Sequence, residues 1–211
     1  MKKLDVPTSS TSINVIVSDL YGVQLKRDET VMLSDFRQIS ALPEADVAFA
    51  IKNAGREALK VGSISVEQYV RELNLQLGTK LSVPEVREIW NRSLAVNKPM
   101  VALLRKLEEK GFVVILLSNL NAFDWQDAAT LGLSGFERVL SYEVGMKKPD
   151  PRIFQLALTK TGMPAESHLY IDDQQRNVDV AESLGMKALR FTSYEKLLQS
   201  LAEYEVHVNI D

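Results

Sequence analysis

The chain has 211 residues, 45% of them hydrophobic and 25% charged, with a net charge of −3. That length buries a proper core, as one large domain or a core with a small insert, and the charge balance leaves no basic footprint for nucleic acid. The absence of cysteine excludes disulfides and thiolate metal sites and suits a reducing, cytoplasmic setting, and no apolar run approaches the roughly 20 residues that span a bilayer. Residues 1–12, with Pro7 and the polar run Thr8 to Ser12, lack an apolar secretory segment and read as a flexible tail. The next run, Asn14 to Val17, predicts a strand buried on both faces. Ser18, Asp19, Leu20, Tyr21 and Gly22 follow it. Asp19 therefore stands where a buried strand gives way to a glycine-bearing loop, the place where open α/β sheets put their chemistry.

The interval from about Lys26 to Val96 reads as helices throughout. Pro43-Glu44 opens one segment, with Val47, Ala50, Ile51 and Ala54 on one face. Ser65 and Gln68 have capping-box spacing ahead of Tyr69, Val70 and Leu73, and Ser82 and Glu85 repeat it ahead of Val86, Ile89 and Trp90. Strands then alternate with helices. Val101 to Leu107 form a helical pattern stopped by Gly111, before a strand over Phe112 to Leu117. A weaker strand lies at Arg138 to Tyr142, and Asp150-Pro151 opens a helix with an N-cap residue and proline at its first position. Leu169 to Ile171 is the next strand, and Val178 to Leu184 are helical up to Gly185. After a final strand at Ala188 to Phe191, Thr192 and Glu195 are spaced as a capping box for a last helix. This alternation predicts a doubly wound parallel sheet with right-handed crossovers.

Four segments carry chemistry. Asp19 is a carboxylate able to attack phosphorus and divide a hydrolysis into two easier steps; taken alone, it reads first as a strand-end residue capping the next turn. Asp172-Asp173 follows a strand, and two adjacent carboxylates repel each other unless a cation lies nearby. Magnesium suits them because it prefers a few carboxylate oxygens, water and substrate phosphate, although an acidic pair opening a helix is a common feature in its own right. Ser118-Asn119 closes a strand and makes either an anion-binding concavity or an ordinary turn. Lys148 precedes Pro149, which forces it into an extended conformation. Its ammonium offsets crowded negative charge if it turns inward, and is solvated if it does not.

The ordered set of Asp19, Ser118-Asn119, Lys148-Pro149-Asp150-Pro151 and Asp172-Asp173 resembles the haloacid dehalogenase-like hydrolases, most of which are magnesium-dependent phosphatases. The resemblance spans Ile13 to about Leu201. It implies a Rossmann-like core over 13–26 and 97–211, with residues 27–96 as a helical cap closing over Asp19. It also implies an aspartyl-phosphate at Asp19, a substrate bound by Tyr21, Ser118, Asn119 and Lys148, and a magnesium site made by Asp19, Asp172, Asp173 and the carbonyl of Tyr21. The partner is then a small phosphate ester or similar anion.

One residue departs from that pattern. The phosphatases resemble this chain except that an aspartate, acting as acid and base, stands where Tyr21 is. Such a group contributes about 10²–10⁴ in rate, and tyrosine, with an unperturbed pKa near 10, is a poor substitute. The 2-haloacid dehalogenase branch carries tyrosine there, but its chemistry uses no metal, and it has Ser-Ser-Asn in place of Asp172-Asp173-Gln174 and an aspartate in place of Asn177. Three readings follow: a phosphatase impaired or restricted to good leaving groups, a dehalogenase-like hydrolase, or a catalytically weak binding protein. His168 and His207 have no partners at metal-ligand spacing, Trp90 and Trp125 read as packing residues, and Arg37, Lys52, Arg56 and Lys60 read as solvated helix faces.

Overall fold

A computed structural model describes residues 12–207. Almost all of the tail assigned to residues 1–12 lies outside them. The centre is a five-stranded, wholly parallel sheet built from β1 (Val15–Ser18), β4 (Val113–Ser118), β5 (Glu137–Leu140), β6 (His168–Asp172) and β7 (Lys187–Arg190), in the order β5-β4-β1-β6-β7. Alternation along each strand explains why both faces are covered. Ile16, Leu116, Leu169 and Ile171 pack on Leu103, Leu104 and Leu107 of α6 (Lys98–Glu109) and on Leu197 and Leu201 of α11 (Tyr194–Glu203). Val15, Val17, Ile115, Leu117 and Tyr170 point the other way, onto Ile153, Phe154 and Ala157 of α9 (Pro151–Thr161) and Val178 and Ala181 of α10 (Gln175–Ser183). The sheet is therefore doubly wound, as the pattern of apolar runs predicts. Its order reverses around β1, which leaves a crevice at the carboxyl ends of β1, β4 and β6.

Between β1 and α6 the chain forms α1 (Glu29–Ser40), α2 (Glu44–Asn53), α3 (Arg56–Lys60), α4 (Val66–Leu77) and α5 (Val83–Arg92). Both capping boxes form as spaced, at Ser65/Gln68 and at Ser82/Glu85. These helices share their own apolar cluster, centred on Trp90, which meets Phe36 and Tyr69 edge-on and stacks on Phe123 at 5.8 Å between centroids. Phe123 belongs to α7 (Ala122–Ala128) on the sheet side, so the helical layer is packed onto the core.

The structure corrects the sequence reading in three places. The insert is not helical throughout, because β2 (Leu25–Arg27) and β3 (Leu94–Val96) pair antiparallel where the chain leaves and re-enters the core. Three-residue strands carry too few alternations to register as a pattern. The last helix is capped by Ser193, which accepts from the Lys196 amide, rather than by Thr192. The weak strand ends at Leu140, since Ser141 and Tyr142 enter the short helix α8 (Ser141–Val144). No helix of the described residues is long and apolar enough to cross a membrane.

Candidate active site

The crevice brings together residues from four distant segments. Asp19 follows β1, and one of its oxygens, Oδ1, receives the Leu20 amide at 2.6 Å, the Ser118 hydroxyl at 2.8 Å and Lys148 Nζ at 2.9 Å. Ser118 is the last residue of β4, so parallel pairing beside β1 sets its distance. Lys148 Nζ also lies 2.7 Å from Asp172 Oδ2, and the lysine is 3% exposed, so the turned-in alternative holds. Asn119 fixes it there through its backbone. The Lys148 amide donates to Asn119 Oδ1 at 2.8 Å, and Asn119 Nδ2 donates to the Lys148 carbonyl at 2.9 Å. Asn119 thus lines the cavity while its amide is spent on positioning Lys148.

Asp172, the last residue of β6, is fully buried and the most heavily supported carboxylate. Besides Lys148 it accepts from the Tyr170 hydroxyl, from Asn177 Nδ2 at 3.0 and 3.1 Å, and from the Gln174 amide at 2.8 Å. Burial alone would raise its pKa, but Lys148 and these donors outweigh burial and hold it below the usual range. Asp19 goes the other way. Burial, reinforced by Asp172, pushes it up to about 7 against the pull of Lys148 and Ser118. Asp173 is also raised, by burial and then by Asp172. Oxygens of Asp19, Asp172 and Asp173 lie within 4.8 Å of one another. Asp173 presses on Gly22, where an added Cβ would sit 2.3 Å from Oδ2 and where φ is +87°, so only glycine fits that position.

Tyr21 lines the same cavity, but its hydroxyl is already engaged. Arg27 Nη2 donates to it at 2.7 Å and to Asp124 Oδ1 at 2.5 Å, while Arg27 Nη1 reaches the Trp90 carbonyl at 2.6 Å and the Ser93 hydroxyl. Asp124 accepts further from Trp90 Nε1 at 2.9 Å and Asn121 Nδ2 at 2.8 Å. Burial, with Asp124 adding, raises the Tyr21 pKa well above 10 despite Arg27. Its proton is therefore poorly placed for acid–base work near neutral pH.

Arg27, Asp124 and Tyr170 have no site role in the sequence reading. Tyr170 has a usable signal, since it stands two residues before Asp172 on one strand and so on the same face. Arg27 and Asp124 are 97 residues apart, and no local spacing pairs them. Arg56 and Lys60, read as solvated, line the cavity of about 250 Å³ above Asp19, whereas Arg37 and Lys52 are exposed elsewhere. The insert's fold, invisible to local pattern, makes that difference. Of the residues read as bland, His168 is buried between the Pro164 carbonyl and Thr161, Trp90 forms the cap-layer cluster, and Trp125 is packed under Arg138.

A doubly wound sheet with an aspartate after its first strand, a serine ending the second, an inward lysine and an acidic pair at the end of a later strand is an α/β protein whose crevice is built around carboxylates. Residues 13–185 match the model of the haloacid dehalogenase-like hydrolase family, and the chain belongs to that family. The sesquiterpene phosphatase astK of Aspergillus oryzae is 25% identical over 164 residues, 71% of this chain and 82% of that protein. The D-ribitol-5-phosphate phosphatase of Bacteroides thetaiotaomicron is 26% identical over 148 residues, 64% of this chain and 69% of that protein. Among solved structures, a HAD family enzyme of Bacteroides thetaiotaomicron superposes with a TM-score of 0.79 at 25% identity, covering 90% of this chain and 98% of that one.

Proposed function

We propose that the chain is a magnesium-dependent phosphatase that acts on a small phosphorylated metabolite through an aspartyl-phosphate at Asp19. The observation that carries this reading is the charge count of the crevice. Three carboxylates lie together, Lys148 pairs with Asp19 and Asp172, and Asp173 Oδ1 is buried with no hydrogen-bond partner among the described residues. Such a cluster fits a hard divalent cation, which takes carboxylate oxygens and leaves room for water and phosphate. Asp19, Asp172 and Asp173 would hold it, with the Tyr21 carbonyl as a further oxygen, and the bound ion would neutralise charge developing on the phosphoryl oxygens. Relatives that are phosphatases support the same reading, as does a magnesium complex of the HAD family enzyme from Bacteroides thetaiotaomicron.

Asp19 attacks phosphorus while the bond to the leaving oxygen breaks; water then attacks the phosphorus of the aspartyl-phosphate, which releases inorganic phosphate and restores the carboxylate. Lys148 and Ser118 orient Asp19 and face the transferred group, and Asn119 keeps Lys148 in place. No residue at position 21 protonates the leaving oxygen, so acyl and aryl phosphates are the favoured substrates. A dehalogenase-like reading draws on Tyr21 alone and is opposed by the adjacent carboxylates Asp172 and Asp173, which metal-free chemistry leaves idle. The test is a screen of phosphomonoesters, acyl phosphates and 2-haloacids, each with magnesium and with chelator. Hydrolysis of a phosphate compound, abolished by chelator and by Asp19→Asn, is the expected result. Chelator-insensitive halide release would overturn the assignment, and tight binding of a phosphorylated ligand without turnover would favour a binding protein.

A further inference from the structure

The cavity over Asp19 has a second basic end, on the insert side, that holding one phosphoryl group does not require. Arg56 opens α3 just after Gly55, whose φ of +100° turns the chain into that helix, and Lys60 closes the same helix. Both line the cavity together with Asp19. The Arg56 guanidinium lies 5.8 Å from the Trp90 ring centroid and contacts Glu29 through Nη2 only, at 2.9 Å. Its Nε is buried with no hydrogen-bond partner among the described residues. A guanidinium carries five N–H donors, and the one ion pair to Glu29 leaves donors of Arg56 unused at a position that lines the cavity. Lys60 shares Glu57, its one carboxylate among the described residues, with Lys147, at 2.8 and 2.5 Å, which leaves the trio with one excess positive charge. Arg176, which also lines the cavity, bonds Gln174 and has no carboxylate within ion-pair distance among the described residues. The helix that carries this end is fixed relative to Asp19, because the Ser141 hydroxyl, which accepts the Leu120 amide, lies 2.6 Å from the Lys60 carbonyl.

We propose that Arg56 and Lys60, with Arg176 lining the same cavity, form a second anion subsite, so that the substrate is a small phosphorylated molecule bearing a carboxylate at the end remote from the transferred phosphoryl group. This rests on the phosphatase reading for the chemistry at Asp19, and deepens it by naming the substrate class. A planar guanidinium suits the two-oxygen edge of a carboxylate. Pairing at this subsite favours a substrate with the second charge over its neutral counterpart by roughly tenfold to a hundredfold, the range of a hydrogen bond to a charged group.

The experiment compares 4-carboxyphenyl phosphate with its methyl ester in the presence of magnesium. The ester has the better leaving group, so a preference for the acid comes from the remote carboxylate. The wild type is expected to favour the acid by tenfold or more in kcat/KM, and Arg56→Gln and Lys60→Gln to remove that preference, leaving the ester with its better leaving group at least as fast. Equal kcat/KM values in the wild type, or a preference that survives both substitutions, would overturn the subsite while leaving the phosphatase reading in place. Calorimetric affinities of the matching 4-carboxyphenyl phosphonate and its methyl ester make the same comparison without turnover. If neither phosphate is hydrolysed but the phosphonate pair shows a preference that Arg56→Gln removes, the subsite stands and the hydrolytic assignment falls.

Discussion

The ion pair of Arg27 and Asp124 ties the strand that leaves the core to helix α7, with side chains only 6% and 4% exposed. Replacing Asp124 with asparagine keeps the volume but turns one acceptor oxygen into a donor. Asp124 Oδ1 accepts from Arg27 and Trp90, and Oδ2 from Asn121. If the new amide keeps its oxygen toward Arg27, its nitrogen faces the Asn121 amide, and two donors meet. Arg27 meanwhile keeps a buried charge with only neutral partners. Removing one member of a buried pair in this way costs about 3–5 kcal/mol, and Arg27→Met should cost a similar amount by stranding the carboxylate. The double variant removes both charges, so its loss should fall short of the sum of the singles by about 2–3 kcal/mol. Urea denaturation followed by tryptophan fluorescence reads this directly, because Trp90 is stacked on Phe123 and bonded to Asp124. The exposed pair Lys160–Glu137, at 2.9 Å, is the control, with Glu137→Gln expected to cost under about 1 kcal/mol. Single substitutions at Arg27 and Asp124 that each cost no more than the control, or that add without coupling, would refute the argument.

Two further outcomes are expected. Asp173→Asn should weaken magnesium binding several-fold or more in calorimetry, since it removes one of three anionic oxygens, and unchanged affinity would defeat the metal-site assignment. In a leaving-group series the wild type should lose rate steeply as leaving-group pKa rises, while Tyr21→Asp should recover alkyl phosphate hydrolysis by up to about 10²–10⁴; a flat wild-type series would show that another group supplies the proton.

What the sequence makes legible follows from the range of each signal. The sheet is readable because Val15 to Val17, Ile115 to Leu117 and Leu169 to Ile171 are apolar runs that only a strand covered on both faces can bury. The capping boxes at Ser65 and Ser82 are readable because both partners lie within one turn. The inward course of Lys148 is not, since it depends on Asn119 lying opposite its backbone and on Asp19 and Asp172 converging from two strands. The same limit hides the β2–β3 ribbon, the Arg27–Asp124 pair and the cavity-facing position of Arg56, each of which exists only through contacts between segments far apart in the chain.

The choice of residue at position 21 can be argued from charge. Asp19, Asp172 and Asp173 already outnumber Lys148 by two, and they reach into low-dielectric surroundings where a further carboxylate adds repulsion. An aspartate at position 21 would bring that charge, and its shorter side chain would end well short of the place where Arg27 now meets the Tyr21 hydroxyl. Tyrosine stays neutral, reaches Arg27, and joins the Asp19 crevice to the Arg27–Asp124–Trp90 network that docks the helical layer. The same hydroxyl, which accepts from Arg27 and has its pKa raised by burial, is a poor acid. Stability of the docked layer and proton delivery to a poor leaving group thus compete for one side chain, and in this chain docking has it. That is why Tyr21→Asp should gain on alkyl phosphates while losing stability, and why the gain should fall below the full contribution of general acid catalysis unless Arg27 is supplied with a new partner.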